Sequence, residues 1–304
     1  MNKFELNILG CGSALPTMQH VPTSQVLNVR EKLFMIDCGE GTQLQFRRAR
    51  LRFNRLNQIF ISHLHGDHCF GLIGLISTLG LLGRTGDLTI HAVADLERIL
   101  RPQLDFYCKD LSFEVIFKSF DHTKHEVIYQ DRSLTVSTIP LDHRMPCAGF
   151  LFEEAKNDLH LDGEAVKFYN IPIKELAKIK QGADYISESG QIISNNRLTK
   201  PAKPSRKYAF CSDTAYKESI IPIIRDVDLL YHESTFLDED KARAKETRHS
   251  TASQAAEIAL KANVKKLMLG HYSSRYSNDA LFLEEAVKIF PNTILANELL
   301  LEKL

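Results

Sequence analysis

The sequence predicts a layered α/β fold, and three observations carry the prediction. Short β-branched and aromatic runs alternate with helix-periodic ones along most of the 304 residues. Histidines and aspartates recur just past the ends of the strand-like runs. One polar stretch, broken by Gly163, Pro172, Gly182, Gly190, Pro201 and Pro204, interrupts the alternation.

Strands are expected at residues 4–9, 33–37, 58–62, 88–91, 113–117, 134–139, 208–211, 228–231 and 266–269, where strand-forming side chains cluster. Helices are expected at 69–82, 96–104, 252–261 and 280–289. The polar break then divides the chain. Segments 1–152 and 207–304 read as the two halves of one layered domain, and 153–206 as an inserted flexible arm. Only 173–179 looks helical within the arm. Structureless loops of that length are uncommon in compact domains unless functional, so a protruding arm is the expectation.

Apolar residues make up 44% of the chain, enough for a full core, and no apolar run is long enough to span a bilayer. Residues 1–6 carry no signal-peptide core, so a soluble, cytoplasmic protein with no membrane partner is expected. Cys11, Cys38, Cys69, Cys108, Cys147 and Cys211 are dispersed, which fits reduced and mostly buried thiols. The 38 basic and 38 acidic residues cancel, so global charge does not point to nucleic acid. Locally, Arg47, Arg48, Arg50, Arg52 and Arg55 form an acid-free run. It reads equally as a solvated helix face or as a phosphate-contacting patch.

The most informative segment is residues 63–68, His-Leu-His-Gly-Asp-His. It lies between a strand-like run and an apolar helix, on a turn where several side chains can converge. Imidazoles and a carboxylate at this spacing suit zinc-type divalent metals. His143, Asp213 and His271 each follow another strand-like run, where loop side chains gather over a site in layered α/β folds. His63 and His65 alternate along extended backbone and point to one metal. Asp67 and His68, past the Gly66 bend, reach a second. Asp213 has two oxygens and can bridge, with His143 completing the first site and His271 the second. Such a pair, two Zn2+ per chain, would acidify a bridging water and offset charge on phosphate oxygens. Cys211 is expected in the core rather than on a metal. Gly10-Cys-Gly12-Ser13 lacks the third glycine of a dinucleotide fingerprint and reads as a tight turn beside the site.

These features resemble the metallo-β-lactamase superfamily and, within it, the ribonuclease Z family. Leu9-Gly-Cys-Gly-Ser-Ala-Leu-Pro16 is similar to the end of the family's opening strand and the loop after it. Ile36-Asp-Cys-Gly-Glu-Gly-Thr-Gln43 resembles its second glycine turn, and residues 59–75 its metal turn. His232-Glu-Ser-Thr235 resembles its His-Glu-Ala-Thr motif and His249-Ser-Thr-Ala252 its His-Ser-Thr motif. Gly270-His-Tyr-Ser-Ser-Arg-Tyr276 resembles its final metal loop. The last two are more specific than the metal turn. Three departures stand out: Ser212 replaces the usual glycine, loop 17–22 lacks the basic residues many members use to sense a tRNA 3′ end, and no glycine-proline motif marks the arm.

The resemblance implies an αββα sandwich and an endoribonuclease that removes 3′ trailers from precursor tRNA through a metal-bridging hydroxide. The products would be a tRNA 3′-hydroxyl and a 5′-phosphorylated trailer. It also implies a homodimer in which one subunit's arm clamps tRNA for the other. Lys174, Lys178, Lys180, Lys200, Lys203, Arg206 and Lys207 are the candidates for a basic arm. The family assigns His249 the proton for the leaving 3′-oxygen, and supports Asp67 as metal ligand, as base, or as both. Glu233 is the natural orienter of the His249 ring. Thr251 and Gln254 are expected to form a capping box just past His249, and a helix N-terminus there would make the imidazolium a stronger acid. The alternative is a superfamily hydrolase acting on a small phosphodiester, lactone or thioester. The long arm and the His249 motif count against it. A silent RNA-binding scaffold is disfavoured because all seven ligand positions are filled.

Overall fold

A computed structural model describes residues 3–202 and 204–304, so Lys203 of the candidate arm lysines lies outside the described residues. The chain divides into a body, Met1–Glu153 with Arg206–Leu304, and a smaller unit, Glu154–Ser205. Within the body, each strand sends alternate side chains to opposite faces. In Phe4–Gly10, Leu6 and Ile8 face one way and Leu9 the other; in Lys32–Ile36, Phe34 and Ile36 oppose Leu33 and Met35. Both faces are buried, which is why these strands read as nearly continuous apolar runs.

One face of each sheet meets the other sheet. The Phe60 ring packs 5.6 and 5.5 Å from those of Phe150 and Phe152 in the facing sheet. The outer faces meet helices. Thr42–Arg48, Leu72–Leu81 and Asp95–Tyr107 bury Phe46, Leu75, Leu79, Leu96 and Leu100 over the first sheet. Ala252–Lys261 and Ala280–Ala286 bury Ala255, Ala259 and Phe282 over the second. The body is thus an αββα sandwich with seven strands in each sheet.

The first sheet runs Leu301–Lys303, Phe4–Gly10, Ser24–Val29, Lys32–Ile36, Leu56–Phe60, Leu88–Ala92, Val115–Ser119. The second runs Thr293–Leu295, Leu267–Gly270, Leu229–Glu233, Lys207–Cys211, Ala148–Glu154, Leu134–Pro140, Val127–Gln130. Each contains four consecutive parallel strands, from Lys32–Ile36 to Val115–Ser119 and from Lys207–Cys211 to Thr293–Leu295. Most of the site is built where those parallel strands end, and the antiparallel strand Leu134–Pro140 adds the rest.

All nine expected strands are present with small boundary shifts, but Ser24–Val29, Val127–Gln130, Ala148–Glu154, Thr293–Leu295 and Leu301–Lys303 were not foreseen. Ser24–Val29 hides buried Gln25 and Asn28, and the Tyr208 hydroxyl donates to Gln25 Oε1 inside the sandwich. Polar residues buried inside a sheet erase the apolar pattern that marks a strand. The single helix expected at 69–82 is two, Gly66–Cys69 and Leu72–Leu81. Gly71 breaks it by approaching the preceding turn, where a Cβ would sit 2.1 Å from the Gly39 carbonyl. Ala252–Lys261 forms as expected, with the Thr251–Gln254 capping box complete.

The smaller unit is more ordered than a polar loop. Besides Ile173–Lys180 it contains the helix Gly163–Phe168, capped by the Asp162 side chain, which accepts from Glu164 N and Ala165 N. Ile171, Ile179, Tyr185, Ile193 and Leu198 form its own core. Its basic character is modest. Lys178 pairs with Glu175 and Lys200 with Asp162, while Lys207 belongs to a body strand and pairs with Glu153. Arg206 also belongs to the body and lies over the Phe4 ring. All six cysteines are free, and no helix among the described residues is long and apolar enough to cross a membrane.

Phe60 ties the two sheets together, so Phe60→Ala should lower unfolding stability by about 3–5 kcal/mol in denaturant titrations. A loss below about 1 kcal/mol would show that the sheets hold together without it.

Candidate metal centre

Every predicted ligand hangs from a strand end in the body. His63, His65, Asp67 and His68 follow Leu56–Phe60, His143 follows Leu134–Pro140, Asp213 follows Lys207–Cys211, and His271 follows Leu267–Gly270. The fold brings all seven together. His63 Nε2 and His143 Nε2 lie 3.0 and 3.2 Å from His65 Nδ1. They are 3.6 and 3.7 Å from Asp213 Oδ2. The other oxygen, Asp213 Oδ1, is 3.1 Å from His68 Nε2 and 3.2 Å from His271 Nε2. Asp67 Oδ2 lies 3.3 and 3.5 Å from the same two nitrogens. Two donor sets therefore share one carboxylate.

The backs of the rings fix which nitrogen faces inward. His143 Nδ1 meets the Arg248 carbonyl at 3.1 Å; a carbonyl only accepts, so Nδ1 carries the hydrogen. His68 Nδ1 donates to Asp37 Oδ2 at 2.7 Å. His271 Nδ1 donates to Thr235 Oγ1 at 2.8 Å, whose own hydrogen goes to Glu233 Oε2 at 2.5 Å. His63 Nδ1 donates to Ser62 Oγ at 3.0 Å, and Ser62 Oγ to Asp37 Oδ2 at 2.8 Å. Each Nε2 is left to face the other donors. Those of His68 and His271 are buried with no hydrogen-bond partner. Lone pairs and carboxylate oxygens packed this closely repel unless cations lie between them. The donor chemistry fits a divalent metal held by imidazole and carboxylate.

Protonation agrees for most of the set. Burial depresses His63, His65 and His143, keeping those rings neutral. Burial opposes charge on Asp213, but the imidazoles facing it, His271 and His68 foremost, keep it ionised. His68 differs: burial opposes charge there, but Asp213, Asp67 and Asp37 outweigh it and draw a proton onto the ring. A metal held there would compete with that proton for one lone pair.

Asp37 was not foreseen as a site residue. Its signal was the same as for the ligands, a carboxylate at a strand end, but it acts from behind. Fully buried, it accepts from Ser62 N, Ser62 Oγ and His68 and so aims His68 directly and His63 through the Ser62 hydroxyl. Four non-glycine residues at the site hold left-handed backbones, Asp37, Arg248, Asp213 and His271, with φ of 56°, 57°, 60° and 62°. Such conformations cost roughly 1–3 kcal/mol each and cluster where a side chain must be aimed. Gly10 serves the same loops through close approach, since a Cβ there would lie 1.9 Å from the Pro22 carbonyl. The next residue, Cys11, accepts from both His271 N and Tyr272 N. Cys211 is buried and belongs to neither donor set.

His249 stands beside the two sets, its ring 5.0 Å from His143 and 5.5 Å from His271. Its Nδ1 bonds Glu233 Oε1 at 2.9 Å. The expectation of a more acidic imidazolium is overturned. Burial lowers the His249 value, but the Glu233 carboxylate outweighs it and pushes the ring up to about 9. The helix begins only at Ala252, and a full charge in contact prevails over a partial one several residues on.

A cleft of about 710 Å³ opens over these groups, lined by His65, Asp67, His143, Asp213, His249 and His271 together with Leu15, Phe70 and Phe236. Arg144, Arg243 and Arg275 supply positive charge in it. Among the described residues, none of the Arg47–Arg55 run lines the cleft. Arg47, Arg48, Arg50 and Arg52 are exposed outside it, and Arg55 pairs with Glu31.

The sequence model of the family described as Anti-Pycsar protein Apyc1 matches residues 4–168, which include the metal turn and His143 but not Asp213, His249 or His271. Ribonuclease Z of Phocaeicola vulgatus is 60% identical over 300 residues, covering 99% of this chain and 97% of that protein. Ribonuclease Z of Bacteroides fragilis is 58% identical over 298 residues, 98% of each. The chain belongs to the ribonuclease Z family. The crystal structure of human tRNase Z, short form, has the same fold, with a TM-score of 0.70 at 24% identity over 98% of both chains.

In this ribonuclease Z-family chain, Asp37→Ala should weaken divalent-metal binding by about 10–100-fold, because His68 and Ser62 lose the group that aims them. Competition with a chromogenic chelator checks this, and unchanged affinity would remove Asp37 from the site. A second expectation concerns pH. In metal-stripped protein the His249 ring should titrate near 9 by NMR rather than near the ordinary 6.5. Its folded value is raised, so the Glu233 pair contributes fully below pH 6.5 and fades as pH rises through about 9. A midpoint at or below 6.5 would contradict the pairing.

Proposed function

We propose that this protein is a zinc-dependent endoribonuclease that removes 3′ trailers from precursor tRNA in the cytoplasm, leaving a tRNA 3′-hydroxyl and a 5′-phosphorylated trailer. The observation that carries the reading is 58–60% identity, over essentially the whole chain, to proteins named ribonuclease Z. His63, His65 and His143 with Asp213 would hold one zinc ion, and Asp67, His68 and His271 with Asp213 a second. Bound zinc acidifies water and offsets negative charge on phosphate oxygens.

The chain's own residues supply the rest. Asp67, kept ionised against burial by His68 and His271, serves as a ligand, as acceptor of the nucleophile's proton, or as both in turn. His249, held through Nδ1 by Glu233, turns its remaining nitrogen to the cleft and protonates the departing ribose 3′-oxygen. Its raised affinity for the proton keeps it loaded at neutral pH. Arg144, Arg243 and Arg275 offer charge-assisted contacts to flanking phosphates. The inserted arm grips tRNA, as part of a homodimer. With eight basic and seven acidic residues in 154–205, it grips through local lysines such as Lys167, Lys174 and Lys180 rather than through net charge.

Incubating the purified protein with a 3′-extended precursor tRNA and mapping both new ends tests the proposal. Cleavage at or next to the discriminator nucleotide, with a 3′-hydroxyl and a 5′-phosphate, is expected; an uncut precursor overturns it. His249→Ala should retain both zinc ions by elemental analysis yet cut about 10²–10⁴-fold more slowly. Hydrolysis of a nitrophenyl phosphodiester, whose leaving group needs little protonation, should suffer much less.

A further inference from the structure

We propose that Phe70 is a stacking platform for an unpaired base beside the scissile phosphate, an inference that rests on the tRNA reading above. Phe70 caps the short helix Gly66–Cys69, its N–H donating to the Gly66 carbonyl at 2.9 Å. From there its ring folds back over the metal turn. A Cβ on Gly66 would lie 2.3, 2.6 and 2.6 Å from the Phe70 Cε2, Cδ2 and Cζ atoms, so the ring rests directly on that backbone. The rear of the ring is therefore seated while the side chain stays 70% exposed. It opens into the cleft that also holds His65, Asp67 and His249.

An exposed phenylalanine is by itself ordinary. The seat and the place give this one a function. Phe46 and Phe60 are fully buried in the core, whereas the open side of Phe70 contributes nothing to folding. It sits one helical turn from Asp67, so an aromatic surface stacked on it belongs to a nucleotide adjoining the reacting phosphate. Every base offers a π-face, so stacking holds a strand without reading its sequence. That suits an enzyme whose substrates differ in the nucleotides around the cut. Leu15, 65% exposed, gives the cleft a second apolar wall. Its loop is pinned from behind, where His20 bridges Asp279 at 2.8 Å and Glu298 at 2.9 Å and Val21 N donates to Glu298. The apolar surfaces are thus held in place before substrate arrives.

Phe70→Ala should lower kcat/KM on precursor tRNA by about 10–100-fold, the range expected for one lost base–aromatic stack. Phe70→Tyr and Phe70→Trp should retain most of it. Turnover of bis(2,2,2-trifluoroethyl) phosphate, a small activated diester with no ring to stack, followed by 19F NMR, should fall no more than about threefold in Phe70→Ala. Precursors abasic at the nucleotide on either side of the cut complete the test. For one of the two, wild type should lose activity while Phe70→Ala loses nothing further. If wild type cuts the intact precursor and Phe70→Ala cuts it equally well, the platform is overturned and the tRNA reading stands. An equal loss on both substrates also overturns it, since the ring would then be propping the metal turn. Wild type that hydrolyses the small diester but leaves precursor tRNA intact overturns the tRNA reading itself.

Discussion

The buried carboxylate of Glu233 is the interaction on which the geometry of the second half depends. Ending a central strand and fully enclosed, it accepts from Thr214 N, Thr235 N, Thr235 Oγ1, Ser250 N and His249. Those donors come from three loops, and each loop carries a site residue. Thr214 follows Asp213, Ser250 follows His249, and Thr235 accepts from His271. An ionised group without solvent is tolerated only when its lone pairs are filled. Desolvation alone would protonate it; the charge on His249 reverses that and keeps it an acceptor. A glutamine here would turn an NH2 group against backbone donors at whichever oxygen it replaced, so the neutral isostere would disturb more than one ring.

Asp37 performs the corresponding task in the first half, gathering Ser62 and His68 as Glu233 gathers its three loops. The two halves thus use one device: a buried carboxylate at a strand end that positions imidazoles belonging to the next loops. Asp213 then sits between their products, one oxygen toward each donor set. The site depends on both sheets being in register with each other, which makes the Phe60, Phe150 and Phe152 contact part of its support.

Much of this was legible in the sequence because the candidate ligands are chemically conspicuous and repeat one context. His143, Asp213 and His271 were recognisable from their place just past strand-like runs, and the Thr251–Gln254 box from its spacing. What stayed hidden lacked a local signature. Ser24–Val29 was invisible because its buried Gln25 takes a hydrogen bond from Tyr208, 183 positions away. Asp37 and Thr235 act only through residues the fold delivers. The proton affinity of His249 was misjudged because the charge on Glu233 touches the ring directly, whereas the helix terminus does not. Outside 173–179, the arm's small core, built from isolated residues such as Tyr185, Ile193 and Leu198, left no periodic trace.

The left-handed backbones of Asp37, Asp213 and His271 set a limit on engineering this molecule. Glycine is the residue those φ values favour, and it is also the residue that carries no carboxylate or imidazole. At these positions the optimum for the backbone and the optimum for the chemistry are opposed. Selection for heat resistance alone therefore has an easy route to inactive protein, one that relaxes the loops while emptying the centre. A thermostabilised variant has to be sought in the sandwich core or on the outer helices, with these loops held fixed.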